Sequence, residues 1–172
     1  IAVAAGMPLK IAAKVDPADR RYFEEEIAPL LDHPLVEFIG EIGEDRKGAF
    51  LGGAKALLFP IDWPEPFGLV MIEAMSAGTP TIAWSHGSVP EVITEGVSGF
   101  LVDSIEGAVE AVHRAARLDR ALVRAAFESR FTVRRMAEAY VAAYEQLRAG
   151  EARVPVLDGA ASGGFAVPAR PL

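Results

Sequence analysis

Five apolar segments of strand length alternate with segments of helical spacing along the chain, and this alternation constrains the fold more than any other feature. The five apolar segments are residues 9–15, 36–42, 56–60, 81–84 and 99–102. The third segment is apolar at every position, as a strand must be when helices cover both faces of a parallel sheet. The pattern predicts an α/β fold with a doubly wound, Rossmann-like parallel sheet.

Apolar spacing and start and stop signals place helices between and after these strands. The predicted helices cover residues 18–31, 45–52, 68–77, 89–94, 105–118, 119–129 and 133–149. Residues 1–6 read as the end of a helix closed by Gly6. From Gly150 the composition shifts to Gly, Ala, Pro and Val without periodicity. We therefore predict a Rossmann-like domain over residues 1–150 and a flexible tail over 151–172.

Composition excludes several classes of function. A length of 172 residues accommodates one domain of this kind and not two. The net charge of −7 argues against a nucleic-acid partner. The chain has no cysteine, so thiolate zinc sites and disulfides are excluded, and a cytoplasmic location is expected. No apolar run reaches the ~18 residues of a transmembrane helix, and we expect neither a membrane span nor a signal peptide.

The loop after residues 56–60 holds the richest set of candidate functional residues. In doubly wound sheets, ligands bind beyond the carboxyl ends of the strands. Here Gly68 allows close backbone approach, and the following helix directs unpaired amides outward, which favours an anion. Glu65 and Glu73 flank this point, and carboxylates accept sugar hydroxyl hydrogens. On spacing alone, a solvated loop acid and a helix-surface acid are an equally good interpretation.

Two further residues face the same edge of the predicted sheet. Lys14 follows the first strand and His86 follows the fourth; either could contact a ligand, although an exposed lysine and a loop histidine with a local hydrogen bond are the more ordinary interpretations. Residues 43–48 have the glycine spacing of a P-loop, but Ala49 and Phe50 follow where Lys and Ser or Thr are required. A carboxylate pair also suggests a glycosidase, but the anion-favouring helix start argues against one.

The run from Glu65 to Pro80 resembles the donor-site signature of the group 1 (family 4) glycosyltransferases of the GT-B fold. It has two glutamates eight residues apart, followed by Glu-Ala-Met and Gly-Thr-Pro. Residues 36–40, 90–92 and 96–102 are similar to other blocks of the same family, so the resemblance covers about residues 8–148. It implies the C-terminal half of a GT-B fold that lacks its first strand and part of its first helix.

The resemblance also implies a role for each matching residue. Glu65 is the candidate catalytic residue and would bind hydroxyls of the donor sugar, while Glu73 would bind the ribose hydroxyls of a nucleotide diphosphate sugar. Backbone groups would complete the donor site, at Phe67, Gly68 and Leu69 for the diphosphate and sugar and at Glu41 and Ile42 for the base. The implied enzyme is a hexosyltransferase that uses a UDP- or GDP-sugar with retention and needs no metal or other cofactor.

In the family, an arginine, a lysine and an N-terminal acceptor domain lie upstream of the position matched by Ile1. We therefore expect this chain alone to bind a nucleotide sugar without transferring it, and to self-associate through an uncovered sheet edge. The alternative function is a stand-alone nucleotide-sugar binding module without catalysis. A sugar phosphorylase would need a pyridoxal-binding lysine motif, which the sequence lacks.

Overall fold

The computed structural model describes residues 1–149, and the predicted tail at 151–172 lies outside the described residues. The chain divides into two compact units, residues 1–132 and a unit that begins at Val133. Of the second unit, the structure describes the long helix α9, Val133–Arg148. The predicted domain boundary at residue 150 stays a prediction.

The first unit contains the predicted alternation of strands and helices. Its strands are β1 Leu9–Ala12, β2 Val36–Gly40, β3 Leu57–Phe59, β4 Thr81–Trp84 and β5 Gly99–Val102. Its helices are α1 Ala2–Ala5, α2 Arg20–Tyr22, α3 Ala28–Leu31, α4 Glu44–Gly53, α5 Leu69–Ser76, α6 Val89–Val92, α7 Ile105–Ala115 and α8 Arg120–Arg130. Within residues 1–149, none of the helices has the length and apolar composition needed to cross a lipid bilayer.

Within residues 1–149 the strand pairs are parallel, as predicted, and they form two hydrogen-bonded sheets. β1 pairs with β2, while β4 lies between β3 and β5. In the doubly wound order 3-2-1-4-5-6, leaving out strand 1 gives two separate groups of neighbours, 3-2 and 4-5-6. The pair of β1 and β2 and the group of β3, β4 and β5 match these two groups. The predicted α/β fold with parallel strands is thus confirmed.

The hydrophobic core lies on both faces of the β3–β5 sheet. On β4, Ile82 packs into a cluster with Phe100 and the buried residues of α7, whereas Ala83 packs on the other face with Met71 and Met75 of α5. Neighbouring side chains on a strand point to opposite faces, so helices cover this sheet on both sides. The strands β1 and β2 contain no buried residue.

Residues 18–31 are predicted as one helix, and the structure keeps helical backbone through this segment while the hydrogen-bond pattern changes along it. A 3₁₀ turn at Pro17–Asp19 leads into α2, a π-helical turn at Phe23–Ile27 follows, and α3 ends the segment. Pro29 in α3 has no amide hydrogen for the carbonyl one turn earlier. A proline of this kind forces the backbone hydrogen bonds to rearrange, and a π-helical turn is one way to accommodate the change.

Candidate functional site

The Glu65 carboxylate is held against backbone amides at the start of α5. Its Oε1 atom accepts hydrogen bonds from the amides of Gly68 at 2.9 Å and Phe67 at 3.4 Å. Its Oε2 atom accepts one from the indole Nε1 of Trp63 at 3.1 Å. The side chain therefore occupies two of the amides that the sequence assigned to the donor diphosphate and sugar. These amides do favour an anion, and here that anion is the chain's own carboxylate.

Gly68 sets the geometry of this turn. It has φ of 74°, in the left-handed region that favours glycine, and it immediately precedes the first residue of α5. A Cβ at this position would lie 2.5 Å from Cε of Met71 and 3.3 Å from Cε1 of Phe59. The chain can therefore turn from the loop into α5 at this point because the residue has no side chain.

The loop between β4 and α6 supports Glu65 from the other side. The amide of Ser88 donates to the carbonyl oxygen of Glu65 at 2.9 Å. A Cβ at Gly87 would overlap the backbone nitrogen and oxygen of Glu65, so this close approach requires glycine. The adjacent His86 is exposed, and its amide donates to the carbonyl of Trp84 at 2.8 Å. The loop thus positions Glu65 through backbone contacts, and a ligand contact of His86 stays a prediction.

Glu73 lies on the second turn of α5 and is bound by a residue that the sequence analysis did not identify. Lys47 on α4 donates from Nζ to Oε1 of Glu73 at 2.9 Å and also contacts Oε1 of Glu44 at 2.6 Å. The side chains of Lys47 and Glu73 are 27% and 34% exposed. Hydrogen bonds to Glu44 and Glu73 raise the pKa of Lys47 above its ordinary value, so the side chain is cationic at neutral pH.

One signal could have identified Lys47. The helix α4 begins at the carboxyl end of β2, and α5 begins beyond the carboxyl end of β3. Parallel strands place these two helix starts at the same edge of the fold, so a lysine in the first turns of α4 is a candidate partner for an acid on α5. Among the lysines, only Lys14 was considered as a site residue from the sequence.

The helix α5 is held firmly at its core face and at its C-terminal end. Met71, Ala74 and Met75 are fully buried. From α8, Arg124 donates to the carbonyl oxygen of Ser76. These contacts fix the helix that carries Glu73.

Arg120 of α8 joins the ends of α4 and α5. Its Nη1 atom donates to the carbonyl oxygen of Ala54 at 2.7 Å, and its Nη2 atom donates to the carbonyl of Gly52 at 2.7 Å and to Oγ1 of Thr79 at 2.8 Å. A longer bond of 3.4 Å reaches the carbonyl of Ala77. Since the last carbonyls of a helix have no partner within it, Arg120 satisfies acceptors at both helix ends.

The other predicted site residues lie at the carboxyl ends of β1 and β2. Glu41 is exposed and Ile42 is half-buried in the short link from β2 to α4. Lys14 lines an open cavity of about 350 Å³ after β1, together with residues of the helical segment that follows. Among the described residues, Lys14 has no hydrogen bond to Glu65 or Glu73. The roles of Lys14, Glu41 and Ile42 stay predictions.

A metal site is not found in the part of the chain that the structure describes. Among residues 1–149, no three His, Cys, Asp or Glu side chains lie close enough together to hold a metal ion. The candidate site consists of backbone amides, two carboxylates and a lysine.

Comparison with known proteins gives a family match. The profile of a family described as "Glycosyl transferases group 1" matches residues 2–126. A D-inositol 3-phosphate glycosyltransferase from Streptomyces griseus subsp. griseus is 39% identical over 72 residues, which are 42% of this chain and 15% of that protein.

Solved structures agree in fold. Sucrose-phosphate synthase from Thermosynechococcus elongatus matches 87% of this chain and 41% of its own chain, with a TM-score of 0.71 and 28% identity. The Anabaena protein HepE in complex with UDP and glucose matches 82% of this chain and 42% of its own, with a TM-score of 0.64 and 23% identity. This chain therefore spans less than half the length of each of these relatives.

Proposed function

The chain belongs to the group 1 glycosyl transferases, and on that premise we propose that it is the donor-binding half of a hexosyltransferase that uses a nucleotide diphosphate sugar. The acceptor would be bound with the help of a further domain, since this chain spans only 41% of sucrose-phosphate synthase. The observation that carries the proposal is that Glu65 binds the amides at the start of α5 and Glu73 lies on the second turn of the same helix.

Glu73 is proposed to bind the ribose hydroxyls of the donor nucleotide. Lys47 contacts its Oε1 atom. Its Oε2 atom has no hydrogen-bond partner among residues 1–149. A carboxylate oxygen accepts hydroxyl hydrogens in charge-assisted bonds, which are stronger than bonds between neutral groups. The free oxygen and partial exposure of Glu73 support this role.

Glu65 is proposed to bind hydroxyls of the donor sugar and to act at the reacting end of the donor. It lies directly before the amides of Phe67, Gly68 and Leu69, and the amide of Leu69 opens α5 without an intrahelical partner. In the family's reaction, negative charge develops on the departing diphosphate. Where oriented amides together with cationic side chains offset that charge, the proposed reaction, with retention of configuration, requires no metal or other cofactor.

The donor would have to exchange contacts with Glu65. The amides of Phe67 and Gly68 hold the carboxylate of Glu65, and a sugar or phosphate oxygen would compete for the same hydrogens. A sugar hydroxyl that donates to Glu65 would replace the hydrogen bonds that the carboxylate loses when these amides bind the ligand. A nucleoside diphosphate without sugar lacks that hydroxyl, so Glu65 should contribute mainly to binding of the sugar-bearing donor.

The test uses the 172-residue chain and isothermal titration calorimetry. A panel of uridine, guanosine and adenosine diphosphates first identifies the base that binds. The binding nucleotide is then compared with its 2′-deoxy form and with its hexose-bearing form, in the wild-type chain, Glu73→Gln and Glu65→Gln. Each variant keeps the shape of the side chain and removes its charge, so the two carboxylates are compared under the same change.

We expect removal of the 2′ hydroxyl to weaken binding to the wild type about tenfold or more. Glu73→Gln should lose most of this ribose preference. Glu65→Gln should keep it and weaken only the hexose-bearing donor. An undiminished ribose preference in Glu73→Gln would show that Glu73 does not bind ribose, and failure of every nucleotide to bind would contradict the proposed function as a whole.

A binding module without catalysis is the second candidate function, because the amides and carboxylates of α5 can bind a ligand without transferring it. The same chain linked to an acceptor domain would be active under the first proposal and inactive under the second. For the 172-residue chain alone, both predict binding without transfer. Sugar transfer at an ordinary enzymatic rate by this chain alone would contradict both.

Two further expectations belong to the proposal. A cytoplasmic location stays a prediction from the composition. Self-association is proposed because β1, β2, β3 and β5 each pair on one side only within the described residues, and unpaired strand edges favour association. A concentration-independent monomer mass in light scattering would contradict self-association.

A further inference from the structure

Lys47 lies between two acidic side chains and joins the helices α4 and α5. It contacts Glu44 one turn earlier on its own helix and Glu73 on α5. From this geometry, and resting on the proposed function of Glu73, we infer that Lys47 is a positioning residue that fixes the ribose-binding carboxylate. Lys47 would act through Glu73 rather than by contacting the reacting atoms.

The contact is selective for one oxygen of the carboxylate. Nζ of Lys47 is 2.9 Å from Oε1 of Glu73, and no bond to Oε2 is found within residues 1–149. A bond to one oxygen restricts rotation of the carboxylate group and leaves the second oxygen available to accept hydroxyl hydrogens. The 2′ and 3′ hydroxyls of ribose are neighbours on one ring, so an acceptor that is already oriented binds them with less loss of side-chain entropy.

The position of Lys47 is itself restrained. Glu44 contacts the same Nζ at 2.6 Å and is three residues earlier on α4, a spacing at which helical side chains meet. The Glu44 side chain is 87% exposed, whereas the Lys47 side chain is 27% exposed. The amine therefore lies mostly covered between an outer and an inner carboxylate. An ammonium group has three hydrogens to donate, and two of them are assigned to these contacts.

A purely structural interpretation is that Lys47 ties α4 to α5 without affecting the ligand. The two interpretations differ in one measurable quantity, the ratio of affinities for the ribose and 2′-deoxyribose forms of the same nucleotide. A general loss of stability lowers both affinities equally, because it changes only the folded fraction. Misplacement of the Glu73 carboxylate reduces the affinity of the ribose form alone.

The experiment measures this ratio by calorimetry with the nucleoside diphosphate selected by the panel. Lys47→Met removes the charge and keeps much of the apolar stem, and Lys47→Arg restores a cation. Glu44→Gln weakens only the outer contact and provides a second variant if Lys47→Met does not fold. Lys10→Met is the matched control, since Lys10 forms an exposed ion pair with Glu37 on β2 at 2.9 Å.

We expect Lys47→Met to reduce the ribose preference by about threefold or more, Lys47→Arg to restore part of it, and Lys10→Met to leave it unchanged. Glu44→Gln should give a smaller reduction than Lys47→Met. In the double variant with Glu73→Gln, the Lys47→Met change should cause no further loss of preference, because the group that it positions is already altered.

A wild-type ribose preference in Lys47→Met would overturn the inference, as would a loss of equal size in the Glu73→Gln background. The outcome is distinguishable from failure of the proposed function. If Glu73→Gln retains the full ribose preference, the assignment of Glu73 fails; if Glu73→Gln loses the preference while Lys47→Met keeps it, only the positioning role of Lys47 fails.

Discussion

The Glu65 carboxylate accepts hydrogen bonds from residues within three positions of it in the chain, whereas the Glu73 carboxylate is bound by Lys47, 26 positions earlier. Glu65 belongs to a largely exposed loop, and Glu73 belongs to a helix whose core face is fully buried. The loop can therefore exchange its own contacts for ligand contacts without disturbing the core. The helix α5 stays in place while the loop exchanges these contacts, because its core face is buried.

The largest expected difference between the two regions is in stability. Met75→Ala should lower the free energy of unfolding by about 2–5 kcal/mol, because Met75 is fully buried on the core face of α5. Trp63→Ala in the Glu65 loop should cost less than about 1 kcal/mol, because Trp63 is 55% exposed. Chemical denaturation of both variants measures this. Equal losses would show that the loop and the helix form one cooperative platform, and the contrast would be wrong.

Gly87→Ala tests how the loop is held. We expect a loss of about 2–3 kcal/mol, since φ is 55° and the new Cβ would overlap the backbone of Glu65. Gly96→Ala is the control, because it has φ of 72° with open space around it, and it should cost about 1 kcal/mol.

The two glycine variants should also differ in binding. Gly87→Ala should weaken the hexose-bearing donor and keep the ribose preference, since it displaces Glu65 and not Glu73. Gly96→Ala should change neither. Calorimetry with the folded variants measures this, and a loss of ribose preference in Gly87→Ala would show that the two carboxylates are coupled.

Arg120→Met tests the contacts at the C-terminal ends of α4 and α5. It should lower the free energy of unfolding by about 1–2 kcal/mol, because three carbonyls at the ends of α4 and α5 and the buried Oγ1 of Thr79 lose this donor. Arg117→Met is the control, since Arg117 makes none of these bonds. Thermal or chemical unfolding gives the comparison, and equal values for the two variants would show that the Arg120 bonds contribute no stability.

The smallest expected effect is that of pH on the ribose preference. The pKa of Lys47 is raised in the folded chain, so its contribution is fully present below the unfolded pKa and is lost only as pH rises through the higher folded value. The ratio of ribose to deoxyribose affinities should therefore be constant between about pH 7 and about pH 9. A decline of the ratio within that range would indicate that Lys47 loses its proton earlier than this geometry implies.

The sequence predicted best what depends on neighbouring residues. β4 and β5 begin and end at the predicted residues, because their apolar runs are bounded by turn residues. The amide-lined start of α5 was likewise predicted from Gly68 and the helix that follows it. Local patterns of this kind are visible in a single chain.

Two features could not be predicted in the same way. The π-helical turn within the predicted helix at 18–31 depends on how the backbone accommodates Pro29, and periodicity does not report that choice. The contact of Lys47 with Glu73 depends on how α4 packs against α5. The fold brings the starts of α4 and α5 to one edge and makes Lys47 a candidate partner, but tertiary packing decides whether its amine meets Glu73.

The arginines of α8 have a consequence for engineering the chain. Arg120 and Arg124 bind mainly carbonyl oxygens at the ends of α4 and α5, and every amino acid supplies a carbonyl. Replacing the residues at positions 52, 54 and 76 therefore leaves these acceptors in place, whereas replacing an arginine removes the donor. A library that varies the ends of α4 and α5 while keeping α8 constant should yield many folded members, and the donor site could be redesigned on that background.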